Sequence, residues 1–423
     1  SKSTWEMACL LLLPPAALLP PLSTSLPSSF APHLPRNGRP RTTRHRTSPA
    51  PLLLCLARVE FDHPQPVAFG EWEGTEASVS VYGDAREDGR AYLVDGMVDA
   101  ATLRALLLAA ERELTFCTHL DTVDQSASYL SVVIEDGQPV NEPLAAALHP
   151  LLHERLLPYV RWRYGAPCAV VGDALVRRYL PGERQALGQH FDVSAFATAI
   201  IPLNPGSYTG GLYLQAGPNV NSRRFVDFAR GELLTHQFDV MHGVHVEAGE
   251  RYSLVVWFSE SEQTRAERTA PWVRRAAEGG NSDAQFILGG FHYRGEFGAS
   301  RDINEAVRWF AESARRKNPM AMLWMATLYA NGEGLPQDYD KAAEYWKAAA
   351  KQEHPSAQHA LGWAYRDGLG VRRDKAAAVH WFRRAAAQGL ERAADALLLG
   401  SEGWGGMSAA ERARALAALR QHE

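Results

Sequence analysis

A repeated pattern in the last third of the chain restricts the possible fold more than any other feature. Tryptophans recur in it at steps of 37, 37 and 35 residues, at Trp272, Trp309, Trp346 and Trp381. Three segments each begin at an alanine and carry a glycine eleven residues later: Ala284 and Gly295, Ala321 and Gly332, Ala357 and Gly368. Two amphipathic helices per unit at this period predict an α/α solenoid, in which each unit buries its apolar face against its neighbours.

The units resemble Sel-one-like repeats, which are related to tetratricopeptide repeats. Their shared pattern is Ala-x-x-x-Leu-Gly-x-x-Tyr-x-x-Gly-x-Gly, followed by Asp, Ala and Trp. The resemblance implies a repeat domain over residues 266–400 and a charged cap helix within 401–423. Close helix packing accounts for the Ala, Gly, Tyr and Trp residues, so none of them is assigned chemistry. The concave face of a solenoid binds peptide or protein; packing of the repeats against the rest of the chain is the alternative.

The first 59 residues have the composition of a disordered targeting presequence or linker. From Met7 to Val59 there are ten prolines and no Asp, Glu or Lys. An apolar run, Leu10–Leu19, precedes Ser-, Thr- and Arg-rich sequence, which is the order of a signal core followed by a transit peptide. Residues 29–32 (Ser-Phe-Ala-Pro) resemble the Phe-centred cleavage motif of bipartite plastid presequences. We therefore predict a plastid location; a secretory signal leading to the endoplasmic reticulum is the alternative.

Composition excludes several classes of protein. The four cysteines form no Cys-x-x-Cys pair, which argues against a disulfide scaffold, a zinc finger and a thioredoxin-type site. No apolar run reaches the roughly 18 residues that a membrane span requires. The formal charge is −4 overall, with +6 on residues 1–59 and therefore −10 on the rest. A nucleic-acid partner is disfavoured, because binding to a phosphate backbone needs clustered Lys and Arg.

Residues 60–262 predict a second, mixed unit, so the whole chain is predicted as a multidomain α+β protein. Ala100–Glu113 is a strong helix former with Asp99 as its N-cap, and Leu144–Arg163 predicts a helix broken or kinked at its prolines. Short apolar runs separated by Gly, Pro and Asn predict an antiparallel sandwich or barrel over 170–260. The runs are Ala169–Leu180, Ala195–Leu203, Gly211–Gln215, Arg224–Phe228, Glu232–Val240 and Arg251–Ser259.

The chemical signal in this unit is His190-Phe191-Asp192. Residues i and i+2 of a strand point to the same face, so one imidazole and one carboxylate can bind one metal ion. His242 follows fifty residues after Asp192, and Arg251 follows nine residues after that. Two histidines and one carboxylate with open positions form the facial triad of non-haem Fe(II) enzymes. An arginine nearby can anchor a dicarboxylate through two parallel hydrogen bonds.

The third ligand has alternatives in the sequence. His236 shares strand parity with His242 on one run, and His245 lies three residues beyond His242. His236 is equally accounted for as a core histidine or as one that contacts a ligand. A second His-x-Asp, at residues 119–121, has its nearest downstream histidines in a helical pattern, so it is not expected to bind metal.

An ordered set of motifs resembles the prolyl 4-hydroxylase-like branch of the Fe(II)/2-oxoglutarate-dependent dioxygenases. The set comprises residues 178–183 (Arg-Tyr-Leu-Pro-Gly-Glu), the His-x-Asp at 190–192, residues 210–214 (Gly-Gly-Leu-Tyr-Leu), 242–244 (His-Gly-Val) and 249–251 (Gly-Glu-Arg). The resemblance implies a double-stranded β-helix (jelly-roll) core with flanking helices. It implies that Fe(II) is bound by His190, Asp192 and His242. It also implies that Arg251 binds the distal carboxylate of 2-oxoglutarate and that Tyr179 hydrogen-bonds this cosubstrate.

The function implied by the resemblance is hydroxylation of a substrate C–H by O₂, with release of succinate and CO₂. Ascorbate is the reductant that such enzymes use to restore over-oxidised iron. We expect a protein or peptide side chain as substrate, with proline a family-level candidate and a small molecule still open. Pro202 stands where some members carry another tyrosine that faces the cosubstrate. The rival hypothesis is a non-catalytic solenoid adaptor with a vestigial dioxygenase domain.

Overall fold

The computed structural model describes residues 65–69, 72–78, 91–113, 117–120 and 127–399. The predicted presequence over 1–59 and the predicted cap helix within 401–423 lie outside these residues, so both stay predictions.

The described residues form a β-rich region followed by a stack of helices. The strands are β1 (Gln65–Phe69), β2 (Trp72–Ser78), β3 (Ala91–Val94), β4 (Cys117–Leu120), β5 (Ala127–Glu135), β6 (Gln138–Pro139), β7 (Val170–Tyr179), β8 (Ala186–His190), β9 (Ala197–Pro202), β10 (Tyr208–Gln215), β11 (Arg223–Phe225), β12 (Leu233–Gln237), β13 (His242–Gly249) and β14 (Arg251–Ser259). The helices are α1 (Ala100–Glu113), α2 (Glu142–Pro150), α3 (Leu157–Arg163), α4 (Glu262–Glu267), α5 (Pro271–Glu278), α6 (Ser282–Arg294), α7 (Ile303–Arg315), α8 (Pro319–Asn331), α9 (Tyr339–Lys351), α10 (Pro355–Asp367), α11 (Lys375–Ala386) and α12 (Glu391–Leu399).

Two antiparallel sheets make up the β-rich region. The larger sheet has the order β1-β2-β3-β12-β9-β14-β7-β5-β4, with β6 beside β5, and the smaller has the order β11-β10-β13-β8. Side chains from both sheets meet in one apolar cluster, which includes Leu175 and Val255 of the larger sheet and Leu187 and Val244 of the smaller. The predicted antiparallel sheet structure over 170–260 is therefore confirmed. From β7 to β14 the chain passes repeatedly between the sheets, and β8 lies at an edge.

The predicted helices before the sheets are confirmed, with one change of geometry. Asp99 caps α1, because its Oδ1 accepts from the backbone N–H of Ala101 at 3.0 Å and of Thr102 at 2.8 Å. The second predicted helix is broken between its prolines: α2 ends at Pro150, and a π-helical turn, Leu151–Leu156, leads into α3. A helix-interior proline removes a hydrogen-bond donor, and the wider turn accommodates that loss.

The strand boundaries differ from those predicted where pairing between distant segments outweighs the local pattern of apolar residues. The run predicted over Glu232–Val240 stops at Gln237, and β13 begins at His242 after a turn. Within residues 170–260, the strands β8 and β13 were not among the predicted runs; they pair with each other in the smaller sheet.

The helical region has the predicted two helices per unit. The first helices of the units are α6, α8 and α10, and the second helices are α7, α9 and α11. Gly295, Gly332 and Gly368 end the first helices in the left-handed conformation, with φ of 76°, 68° and 77°. An aspartate caps each second helix through its side chain: Asp302, Asp338 and Asp374. The recurring glycines and aspartates thus set where each helix stops and starts.

The β-rich region and the helices share one apolar core. Trp272 of α5 packs edge-on against Phe196, with 5.9 Å between the ring centroids. Asn281, the N-cap of α6, donates from Nδ2 to Oδ2 of Asp239 at 2.5 Å. The predicted boundary between 262 and 266 falls within α4, and one cluster of buried side chains continues from the sheets into the repeats. Of the described helices, none has both the length and the apolar character needed to cross a bilayer.

Gly362 tests the close packing inside a repeat. A β-carbon there would lie 2.6 Å from Cε1 of the fully buried Phe382. We expect Gly362→Ala to destabilise the protein by about 1–3 kcal/mol, because the ring has to move. Helix propensity alone predicts the opposite sign, a gain of about 1 kcal/mol. Ala326 occupies the same position in the previous repeat and provides a matched site where a methyl group is accommodated. Urea unfolding distinguishes the two; a stabilised Gly362→Ala variant would contradict the packing.

Two buried histidines predict acid sensitivity of the repeats. Burial, with Arg392 nearby, lowers the pKa of His354 and of His359 to about 4 each. Both are neutral in the folded state and take up protons in the unfolded state near pH 6.5, so their stabilisation is full above pH 6.5 and falls as pH drops towards 4. His359→Gln keeps an acceptor for the Trp363 indole N–H, which lies 2.9 Å from His359 Nε2.

We expect the melting temperature of the wild type to fall between pH 7 and pH 5, with each histidine contributing up to about 2 kcal/mol at pH 5. His359→Gln should make the fall in melting temperature between pH 7 and pH 5 smaller. The control is His380→Gln at an exposed position of α11, which should leave it unchanged. An equal pH dependence in all three proteins would contradict the assignment.

Candidate metal centre

The pairing of β8 with β13 places two histidines side by side. His190 is the last residue of β8, His242 is the first of β13, and the two are opposite each other in the register. Their ring centroids are 4.4 Å apart. Asp192 lies in the loop after β8 rather than on the strand, so the expected shared strand face does not explain its position. The loop turns its carboxylate back towards both rings.

The structure brings together the three residues that the sequence suggested as metal ligands. His190 Nε2 lies 3.6 Å from Asp192 Oδ1, and His242 Nε2 lies 3.6 Å from Asp192 Oδ2. The three ligand atoms lie within 4.8 Å of one another, and all three side chains are buried. One ion can therefore reach two nitrogens and one oxygen from a single position.

Backbone carbonyls fix the orientation of the two imidazoles. His190 Nδ1 lies 2.9 Å from the carbonyl oxygen of Gly188, and His242 Nδ1 lies 3.1 Å from that of Val240. A carbonyl oxygen only accepts, so each Nδ1 carries a proton. Each Nε2 is thereby left as the atom that can bind a metal ion, which is the usual arrangement of metal-binding histidines.

Asp192 is held as an anion inside the protein. Its burial would by itself raise its pKa, but His242, His190 and His236 and a hydrogen bond outweigh burial and hold the pKa of Asp192 below its ordinary value. The hydrogen bond comes from the Thr198 hydroxyl, which donates to Oδ2 at 2.7 Å. A buried carboxylate requires a positive partner. The donor set of two imidazoles and one carboxylate fits a divalent cation of the Fe(II) type.

The two alternative histidines occupy different places. His236 is fully buried, and its Nε2 lies 3.7 Å from Asp192 Oδ2, so it borders the site. Burial and then the neighbouring His242 lower its pKa to about 3. The expectation that His236 and His242 lie on one run is wrong, because a turn separates β12 from β13. His245 lies further along β13, opposite Ala186 and Gly211, and does not join the three mutually close ligand atoms.

Arg251 provides an unsatisfied cation in the same interior. Its side chain is 1% exposed, and Nη1 donates to Ser253 Oγ at 2.9 Å. Among the described residues, Nε and Nη2 have no hydrogen-bond partner. Each such buried donor costs about 1–3 kcal/mol unless a ligand satisfies it. Nε and one Nη form the guanidinium edge that binds a carboxylate through two parallel bonds, so the residue fits an anionic cosubstrate.

Aromatic rings flank this guanidinium. Tyr179 is opposite Arg251 in the β7–β14 register, and its ring centroid lies 5.5 Å from the Arg251 Cζ. Tyr208, at the start of β10, lies at 5.7 Å and was not among the residues that the sequence suggested. Pro202, which stands where the family resemblance implies a tyrosine in some members, is opposite Ser253. Tyr208 therefore supplies a second ring from the other sheet, a contact that no spacing rule along one strand could reveal.

Family comparison identifies the helical region. The Sel1 repeat model matches residues 282–318, 319–354 and 355–390. Residues 282–390 are three Sel1 repeats. The predicted repeat domain is thus confirmed over most of its length, and the prediction of antiparallel sheets followed by a helical repeat stack is confirmed with it. No curated protein sequence matches the chain.

Solved structures resemble parts of the chain. A protective antigen with an SLR fold from uropathogenic Escherichia coli is 32% identical over 36% of this chain and 33% of its own, with a TM-score of 0.34. The chain thus spans about a third of that protein. A 2OG-Fe(II) oxygenase family oxidoreductase from Burkholderia pseudomallei is 20% identical over 41% of this chain and 86% of its own, with a TM-score of 0.35. A prolyl-4-hydroxylase from Pseudomonas putida is 18% identical over 40% and 91%, with a TM-score of 0.29.

Metal affinity tests the assignment of the third ligand. We expect His242→Ala to weaken Co(II) or Fe(II) binding by more than about 100-fold, because loss of a ligand exceeds the effect of losing its supporting hydrogen bond. His245→Ala removes an imidazole from the same strand and should change the affinity by less than about twofold. Anaerobic isothermal titration measures both. Equal losses in the two variants, or a loss only in His245→Ala, would overturn the assignment.

Proposed function

We propose that this chain is an Fe(II)- and 2-oxoglutarate-dependent dioxygenase that hydroxylates a substrate C–H. One observation carries the proposal: a buried His-Asp-His cluster and a buried arginine with two unpartnered donors lie in the same two-sheet region. Within the described residues, no packing or pairing role accounts for the burial of either the cluster or the arginine. A divalent cation would satisfy the first, and a dicarboxylate would satisfy the second.

The proposed fold of residues 170–260 is a double-stranded β-helix. Eight strands, β7 to β14, divide between two facing antiparallel sheets, and this division supports the proposal. The smaller sheet carries His190 and His242, and the larger carries Tyr179 and Arg251. In a fold of this kind, inward side chains of both sheets surround one ligand cavity.

In the proposed mechanism the bound Fe(II) supplies the oxidation chemistry that side chains lack, using O₂ and 2-oxoglutarate. His190, His242 and Asp192 hold the ion, and the backbone carbonyls of Gly188 and Val240 keep both rings oriented. Arg251 binds the distal carboxylate of 2-oxoglutarate, and Tyr179 lies beside it as a further hydrogen-bonding group. The apolar walls between the sheets exclude water from the site. Ascorbate is the proposed reductant.

The proposed substrate is a protein or peptide side chain. The three Sel1 repeats support this, because stacked helical repeats form surfaces that bind other proteins. The same repeats favour the second candidate function, an adaptor whose β-rich region does not turn over. The proposed location is a plastid, on the basis of the presequence expected over residues 1–59, with the secretory pathway as the alternative.

Succinate production tests the enzyme against the adaptor. We expect the full chain to convert 2-oxoglutarate to succinate only when Fe(II) and O₂ are present, and His190→Ala to reduce this by more than about 100-fold. Arg251→Gln should raise the KM for 2-oxoglutarate by at least about tenfold with a smaller change in kcat, since the lost ion pair acts in binding. Arg251→Lys retains the charge and should recover part of the effect.

Co(II) titration of the same variants separates loss of the site from loss of the fold, because Arg251→Gln leaves the three proposed ligands in place. Succinate formation that survives in His190→Ala would overturn the iron assignment. A wild type that binds metal but forms no succinate with any peptide tested would favour the adaptor.

A further inference from the structure

A cleft of about 430 Å³ lies between the smaller sheet and the repeats. Its sheet side includes four consecutive residues of β8, at 186–189, and its repeat side includes the start of α10 together with Gln388, Gly389, Leu390 and Arg392. Arg251 is not among its lining residues. The cleft nevertheless reaches the metal centre, because Gly188 lines it and supplies the carbonyl oxygen that orients His190.

β8 lines this cleft along most of its length. The carbonyl oxygens of Ala186 and Gly188 already accept from Arg184 Nε and His190 Nδ1, and each keeps a second lone pair for a further donor. Alternate residues of a strand point to opposite faces, so four consecutive lining residues mean that the cleft follows the strand itself. β8 is the edge of its sheet, and β13 is its strand neighbour within the described part of the chain. An edge strand offers a row of N–H and C=O groups to another extended chain.

The cleft is basic although most of the chain is acidic. Its lining includes Arg223 and Arg392 and no Asp or Glu. The contacts of Arg223 are neutral: Gln215, Gln189 and the Tyr213 ring. Arg392 donates to the Ser356 hydroxyl at 2.8 Å. Within the described residues neither guanidinium pairs with a carboxylate, so both are available to an acidic ligand.

Two buried polar atoms in the lining lack partners. His354 and Gln388 are each 9% exposed, and no described residue forms a hydrogen bond with His354 Nδ1 or Gln388 Oε1. The Gln388 amide nitrogen is already used by the Glu353 carbonyl and Gln358. Its Oε1 can only accept, so it requires a ligand with an N–H or O–H donor. A peptide has such donors along its backbone, whereas the phosphates of a nucleic acid only accept.

We propose that this cleft binds an acidic, extended peptide segment, which adds as a strand along β8 and places its carboxylates on Arg223 and Arg392. This proposal rests on the proposed function in one respect. The bound segment would run past His190, so the expected substrates are proteins with an acidic stretch next to the hydroxylated residue. Binding itself needs no metal.

The test measures binding to the full-length, EDTA-treated protein by fluorescence anisotropy. The probe is a fluorescein-labelled peptide of about twelve residues that is rich in Glu and Asp. Its isostere carries Gln and Asn instead, and we expect it to bind at least about tenfold more weakly at low salt. Two further peptides carry N-methyl groups on alternate amides, one on the even-numbered and one on the odd-numbered positions. We expect one to bind with the affinity of the parent and the other to lose affinity, because only every second amide of a strand faces its partner.

Protein variants test the same site. Arg223→Gln combined with Arg392→Gln should weaken the acidic peptide by about tenfold. The matched control removes two charges elsewhere, Arg308→Gln with Arg315→Gln on exposed positions of α7, and should change affinity by less than about twofold. Melting temperatures report on folding, and the peptide series on the wild type decides the matter if the double variant is unstable.

Several outcomes would overturn the proposal. If the isostere binds as tightly as the acidic peptide, the cleft does not select for acidic residues. If both N-methylated peptides bind equally, the peptide does not add as a strand along β8. A single-stranded oligonucleotide that binds as tightly as the peptide would make the cleft a general anion site. Peptide binding without succinate production would leave this inference standing and overturn the proposed function. If acidic and neutral peptides stimulate succinate production equally, the proposed function stands and this inference is overturned.

Discussion

The buried carboxylate of Asp192 is the constraint on which the rest of the site depends. An anion in this interior needs a positive partner close by, which a bound divalent cation would supply. Two parts of the chain supply the neighbouring imidazoles: the end of β8 supplies His190, and the end of β12 with the start of β13 supplies His236 and His242. The sheet pairing, the turn after β12 and the carbonyl contacts of the rings all serve to hold nitrogen atoms around one oxygen pair.

The elements that the sequence predicted well are those with local causes. Asp99 caps α1 through its own side chain. The repeats were predicted from the spacing of similar residues and from glycines, which favour the left-handed conformation at the end of a helix. The strand β8 contains Gly188 and Gln189 and has no apolar alternation of its own; it is a strand because it pairs with β13. Long-range pairing of this kind is invisible in a short window of sequence.

The site was predicted in its chemistry and only partly in its geometry. Residue type and order suggested His190, Asp192, His242 and Arg251, since few side chains bind metal or carboxylates. The strand parity that linked His236 to His242 failed because a turn intervenes, although it named a residue that does border Asp192. The rings beside Arg251 come from β7 and β10 in different sheets, so Tyr208 could be found only once the strands were assembled.

A hydrogen bond between Asn281 and Asp239 joins the two regions close to the proposed metal site. Asp239 lies in the turn between His236 and His242, and Asn281 caps α6, the first helix of the first Sel1 repeat. If a ligand on the helices shifts α6 and metal binding shifts this turn, linkage requires each to change the affinity of the other by the same factor. The repeats and the proposed metal site would then share one equilibrium.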